Sequence, residues 1–85
     1  MDYEVRRDDD ETLWVIETDE RHVSRWWVYM EPSTGLITAT RGGRTSVTLT
    51  FRGREELKDR WPEDVVATVM ERVGTARRPD EGTRG

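Results

Sequence analysis

An arginine and two aromatic residues alternate along one short stretch of this sequence, the segment "VSRWWVYM" at 23–30. Side chains two residues apart project from the same face of a β-strand, so Arg25, Trp27 and Tyr29 would stand side by side in an extended segment. Aromatic rings with arginine are enriched in contact surfaces, because they bury a large area at low entropic cost. The chemistry that these residues support is therefore binding.

Three further arginines follow this set, at positions 41, 44 and 52. Aromatic platforms inside a basic groove bind single-stranded nucleic acid, at about 1–3 kcal/mol per stacked base. The sequence contains no Asn or Gln, which are the usual readers of adenine edges, so such binding would have little sequence specificity. The candidate partner-binding residues, for a protein or for single-stranded nucleic acid, are Arg25, Trp27, Tyr29, Arg41, Arg44 and Arg52.

Residues that could catalyse a reaction or hold a metal are sparse. The acidic run "DDDE" (8–11) lacks the central glycine and distal glutamate of a calcium loop. His22 is the single histidine, and without cysteine it cannot form a structural zinc site by itself. Neither a nucleophile–base pair nor a phosphate-binding glycine loop is evident. We therefore predict a non-enzymatic protein without a metal or cofactor.

Acidic and basic residues are unevenly distributed along the chain. The whole sequence has a formal charge of −4, but residues 1–20 balance to −7, residues 21–54 to +5 and residues 55–85 to −2. An acidic protein is a poor candidate for nucleic-acid binding, whereas the basic middle keeps that option open. The absence of cysteine predicts a reducing, cytoplasmic compartment. No apolar run approaches the roughly 20 residues of a membrane span, and the acidic start does not resemble a signal peptide.

Hydrophobic alternation predicts a row of β-strands joined by short turns. The segment "TSVTLTF" (45–51) is the clearest case, since Val47, Leu49 and Phe51 alternate with polar residues. A Gly-Gly pair at 42–43 suits the positive φ angles of a type I′ turn, and "EPSTG" (31–35) suits a short hairpin loop. Four strands, with a weaker first one at 3–7, form an antiparallel meander in this prediction.

After the fifth predicted strand, the spacing of apolar residues changes from the two-residue period of a strand to the period of a helix. Apolar residues recur every four positions from Leu57 to Val73, while Pro62 can begin a helix but cannot lie inside one. We predict a short helix near 54–61 and a firmer one at 62–73 that ends at Gly74. The fold class is thus α+β, with one domain at 1–74 and a disordered tail at 75–85.

One face of the predicted sheet packs under the C-terminal helix. In the third strand Trp26, Val28 and Met30 form the more apolar set and should face the helix, which leaves Trp27 on the opposite face unless a bulge reverses the parity. In the second strand we expect Trp14 and Ile16 to join the core. Trp27 and Tyr29 then either cover the second side of the sheet, beneath the N-terminal segment, or form a binding face.

Two functions of different classes follow from these patterns. The leading hypothesis is a small protein-binding module, acting as a regulator, inhibitor or adaptor, or as a homodimer. The alternative is a single-stranded nucleic-acid-binding protein that uses the same face together with the basic segment 41–54. An enzyme is a distant third possibility.

Overall fold

The computed structural model describes residues 1–78 and contains one five-stranded antiparallel sheet whose strands follow each other in chain order. All five predicted strands form, including the weaker first one. Their bounds are β1 Asp2–Arg7, β2 Leu13–Thr18, β3 Val23–Met30, β4 Ile37–Arg41 and β5 Val47–Phe51. The predicted α+β meander is therefore confirmed.

The hairpin loops are longer than a two-residue turn. Gly35 closes the β3–β4 loop with a φ of 74°, in the left-handed region that glycine tolerates. In the β4–β5 loop Gly43 has a positive φ, of 144°, but Gly42 does not. The type I′ turn predicted for this pair is wrong, because five residues, 42–46, separate the two strands.

Two helices follow the sheet, α1 at Arg54–Lys58 and α2 at Glu63–Arg72, and a 3₁₀ turn spans Val73–Thr75. The predicted break at Pro62 is present: Pro62 precedes α2 with a φ of −60°, and acidic residues occupy the first turn, where the helix dipole stabilises them. Within residues 1–78 there is no helix of the length and apolarity that a membrane span requires.

The core lies between one sheet face and the helices. Its buried members are Leu13, Val15, Trp26, Val28, Ile37, Ala39, Phe51, Leu57, Trp61, Val65, Val66, Val69 and Val73. Trp26 is only 2% exposed, whereas its neighbour Trp27 is half-buried on the opposite face. The predicted parity of the third strand is therefore correct.

The predicted parity of the second strand is wrong. Leu13 and Val15 are buried in the core, while Trp14 and Ile16 lie half-buried on the other face. The same parity places Glu17 in the core at 5% exposure. A carboxylate is tolerated there because it accepts hydrogen bonds from the indole N–H groups of Trp26 (3.0 Å) and Trp61 (2.7 Å).

The C-terminal end of the described chain packs against the β1–β2 end of the sheet. Arg7 donates from Nη2 to the carbonyl of Arg72 and to Thr75, both at 2.7 Å. The backbone N–H of Arg77 donates to the carbonyl of Glu11. Of the tail predicted at 75–85, residues 75–78 thus contact the folded part, and 79–85 lie outside the described residues.

Candidate interaction surface

The sheet face opposite the helices, called the open face below, combines aromatic residues, arginines and threonines. Strand alternation and register place on it residues that are half-buried or exposed and that no helix within residues 1–78 covers. Its members are Glu4, Arg6, Trp14, Ile16, Arg25, Trp27, Tyr29, Thr38, Thr40, Thr48 and Thr50. The sequence left open whether Trp27 and Tyr29 lie beneath a second covering layer or form a binding face. No helix or strand within residues 1–78 forms such a layer over them.

Two tryptophans stand next to each other at the centre of the open face. Trp14 of β2 is directly opposite Trp27 of β3, and Thr40 of β4 continues the same cross-strand row. Directly opposed residues have their Cβ atoms about 4.5–5.5 Å apart, so the two indoles form one apolar patch. Trp14 was missed as a surface residue because β2 is apolar at both parities.

Trp14 is held in place by the turn that precedes it. Its indole N–H donates to Oδ2 of Asp8 at 2.9 Å, while Oδ1 of Asp8 accepts from the backbone N–H groups of Asp10 and Thr12. The hydrogen bonds that Asp8 accepts lower its pKa. The bond from Trp14 has the largest effect, burial acts in the opposite direction, and the bonds from Thr12 and Asp10 lower the pKa further. The acidic run is therefore a structured turn that orients an aromatic side chain.

Replacing Asp8 with asparagine is expected to cost about 1 kcal/mol of unfolding free energy near neutral pH, because the amide NH₂ cannot accept from the Trp14 indole. The lowered pKa means that the carboxylate contributes stability above its ordinary pKa of 3.8, and this contribution is lost as pH falls through the lowered value. The difference between wild type and Asp8→Asn in urea unfolding should therefore shrink on acidification. A difference that stays constant to low pH would contradict this role.

Tyr29 lies at the end of the open face nearest to the acidic turn. The guanidinium carbon of Arg78 is 5.5 Å from the centre of the Tyr29 ring, within the range of a cation–π contact. Tyr29 therefore has a cationic neighbour from the chain itself, and the more accessible part of the face is the region around Trp14, Trp27 and Arg25.

A shallow depression lies at the opposite end of the open face. It is lined by Trp14, Val23, Ser24, Arg25, Arg41 and Gly42. Val23 is 57% exposed, the most exposed large apolar side chain apart from the N-terminal methionine among residues 1–78. An aromatic wall, an exposed valine and a guanidinium thus border one concave surface, which suits a ligand with both apolar and anionic groups.

The structure separates the three later arginines from the aromatic set. Arg41 belongs to the core-face parity of β4, and its guanidinium stacks over the Trp26 ring at 5.1 Å. Arg44 is exposed in the β4–β5 loop. Arg52 follows β5, and its backbone N–H donates to the side chain of Glu56. Arg25, Trp27 and Tyr29 share the open face, whereas Arg41 reaches only the rim of the depression.

Charge on and beside the open face is mixed. Glu4 and Arg6 form an ion pair at 2.7 Å on the β1 side, and Asp8 contacts the edge of the Trp14 indole. Arg6, directly opposite Trp14, and Arg25, two residues from Trp27, are exposed cations of this face. The continuous basic groove that would track a phosphate backbone is not formed by these residues.

Other candidate groups within residues 1–78 do not assemble into a site. Among these residues no three His, Asp or Glu side chains are clustered so as to hold a metal ion. His22 is exposed in the β2–β3 turn, where its backbone N–H donates to Asp19. Comparison of the chain with protein-family models, curated proteins and solved structures finds no match. A function must therefore be inferred from the open face itself.

Proposed function

We propose that this chain is a small, non-enzymatic binding module that binds another protein across the open face of its sheet. The observation that supports this most directly is the juxtaposition of Trp14 and Trp27 with Arg25, on a face that no described helix covers. Tryptophan and arginine are the residues that most often dominate the energetics of protein interfaces.

The fixed orientation of Trp14 adds to this argument. A side chain that is already held by Asp8 loses little rotamer freedom when a partner covers it. The depression beside it combines apolar and cationic groups. The partner is therefore a protein segment that presents an apolar side chain flanked by acidic residues, and the chain acts as an adaptor, inhibitor or regulator in a reducing, cytoplasmic environment.

Nucleic acid is the less favoured ligand on this geometry. Arg41, which the aromatic set would need as a phosphate contact, stacks on the buried Trp26 instead. The acidic turn adjoins the open face, because Asp8 contacts Trp14 directly. Phosphates approaching the tryptophans from this side would be repelled.

The test uses single substitutions on and off the open face. Proteins that co-purify with the wild-type chain from its source cells are identified by mass spectrometry, and each is then purified and titrated against the chain by calorimetry. Trp27→Ser and Arg25→Ser are expected to weaken binding by about tenfold or more, since each removes a central contact. Arg54→Ser, at an exposed arginine of α1, is the matched control and should bind as wild type does.

A single-stranded oligonucleotide titration, followed by tryptophan fluorescence at two salt concentrations, separates the alternatives. Quenching that weakens with salt and disappears in Trp27→Ser would assign the face to nucleic acid, because phosphate contacts release counterions. A purified protein partner whose affinity is unchanged by both open-face substitutions would also contradict the proposal. Circular dichroism of each variant confirms that the fold is retained.

A further inference from the structure

The two edges of the sheet differ sharply in charge. β1 is charged at four of its six residues, and α2 packs against it. β5 has the sequence VTLTF and no charged residue, and no strand among residues 1–78 pairs with its outer side. An unpaired edge presents backbone N–H and C=O groups to other strands, and native proteins usually block such edges with charges. β1 is blocked in this way, whereas β5 carries no charge and, apart from β4, is contacted mainly by the short helix α1 that follows it.

The side chains of β5 also favour pairing. Its three apolar residues face the core side, where Val47 and Leu49 are only half-buried at the margin of the core. Thr48 and Thr50 are exposed on the open face. β-branched residues have high strand propensity, so this segment is already extended and preorganised for a neighbouring strand.

We propose that β5 pairs antiparallel with β5 of a second copy of this chain, which joins the two sheets into one of ten strands. Directly opposed residues project from the same face, so a two-fold axis perpendicular to the sheet keeps Val47 and Leu49 of both copies on the core side. Each copy then covers the half-buried residues of the other. Five residues per strand supply about four to six backbone hydrogen bonds.

The length of β5 selects the register. With Leu49 on the two-fold axis all five residues of each strand are paired, since Val47 lies opposite Phe51 and Thr48 opposite Thr50, and the two Leu49 side chains meet. With Thr48 on the axis, Thr50 and Phe51 would extend past the partner's strand into its β4–β5 loop. The register centred on Leu49 therefore pairs more backbone groups and buries more apolar surface.

The charged β1 edge explains why such an assembly would stop at two copies. Pairing of β5 with β1 of a neighbour would repeat without end and would place Val47 and Leu49 beside a strand rich in charge. Pairing of β5 with itself uses the same edge on both copies and leaves only β1 edges outside. The dimer is therefore closed, and this inference does not depend on the function proposed for the open face.

Light scattering over a range of protein concentrations tests the dimer. The wild-type chain should reach twice its mass of 10.0 kDa at high concentration and return to 10.0 kDa on dilution. In the double variant Thr48→Lys/Thr50→Lys, lysine faces lysine across the two-fold axis, and the dissociation constant should rise by about tenfold or more. Ala67→Lys/Glu71→Gln adds the same charge at two exposed positions of α2 and should dimerise as wild type does.

Cysteine cross-linking tests the register, because the native chain has no cysteine. Under mild oxidation Leu49→Cys should form a disulfide-linked dimer, since opposed Cα atoms in an antiparallel pair lie within disulfide distance. Thr38→Cys, on the inner strand β4, should remain unlinked. A wild-type chain that stays monomeric at all concentrations, or a dimer that persists unchanged in the lysine variant, would overturn the proposal, as would a wild-type dimer in which Leu49→Cys does not cross-link.

Discussion

Replacing Trp26 with alanine is expected to lower the free energy of unfolding by about 4 kcal/mol, within the range for large aromatic residues in cores. The Trp26 indole is almost fully buried, and its N–H donates to Glu17. The substitution opens a large cavity and also removes one of the donors that make the buried carboxylate tolerable. For an 85-residue domain this is a large share of the whole stability, so the variant should be largely unfolded at moderate urea concentration.

The adjacent residue supplies the matched control. Trp27→Ala makes the same chemical change one position further along the strand, on the opposite and half-exposed face. It should cost about 1–2 kcal/mol, because much of that indole is accessible to water in the native state. Equilibrium urea unfolding of both variants gives the comparison. Equal losses would mean that the two faces of β3 are buried to the same degree, contrary to the structure.

Replacing Glu17 with alanine is expected to lower the free energy of unfolding by about 3 kcal/mol. Two buried indole N–H groups, those of Trp26 and Trp61, lose their acceptor, and each unsatisfied donor costs about 1–3 kcal/mol. Glutamine should restore only part of this loss. Its single oxygen can keep the bond from Trp26, but its NH₂ group then faces the N–H of Trp61.

The contribution of the ion pair between Glu17 and Arg60 to stability is tested by replacing Arg60. This residue donates to Glu17 at 3.1 Å and stacks on Trp26 at 5.2 Å, but its side chain is 39% exposed. Arg60→Ala should therefore cost only about 1 kcal/mol, since partly solvated ion pairs contribute little. If Glu17→Gln were as stable as wild type, or if Arg60→Ala were the more damaging change, the indole bonds would not be the main reason for a carboxylate in the core.

The proposed β5–β5 dimer is compatible with protein binding across the open face. A two-fold axis perpendicular to the joined sheet leaves both open faces on the same side, with the Trp14 and Trp27 pair of each copy separated by β4 and β5. Such a dimer would present two equivalent surfaces to one partner. Two linked sites raise the effective concentration for the second contact, so a multivalent partner would bind more tightly than a single segment does.

Much of the fold could be predicted from local sequence. Alternation in β5, the four-residue apolar period from Leu57 to Val73 and the restricted geometry of Pro62 all act within a few residues, and the structure agrees with each. The assignment of Trp26 to the core also followed from parity alone, because Val28 and Met30 share its face. The alternation of β4 also indicates that Arg41 faces away from Trp27, since Arg41 has the parity of Ile37 and Ala39.

The second strand could not be assigned in this way. The segment "LWVIE" is apolar at both parities, so periodicity has no preference there. We expected Trp14 and Ile16 in the core, and that choice was wrong, since the opposite parity of β2 is buried and takes Glu17 with it. It failed because the groups that compensate Glu17 come from elsewhere, Trp26 on β3 and Trp61, which lies 44 residues away along the chain.

The sequence by itself determined the order and type of the strands and helices, because those preferences depend on neighbouring residues and on side-chain period. Only the tertiary structure decided that Trp14 joins Trp27 on the open face and that α2 packs against the β1 edge of the sheet. Burial of Glu17 arises only when separate segments meet, because its acceptor oxygens are satisfied by the indoles of Trp26 and Trp61. Long-range contacts of this kind decide which residues remain available to bind.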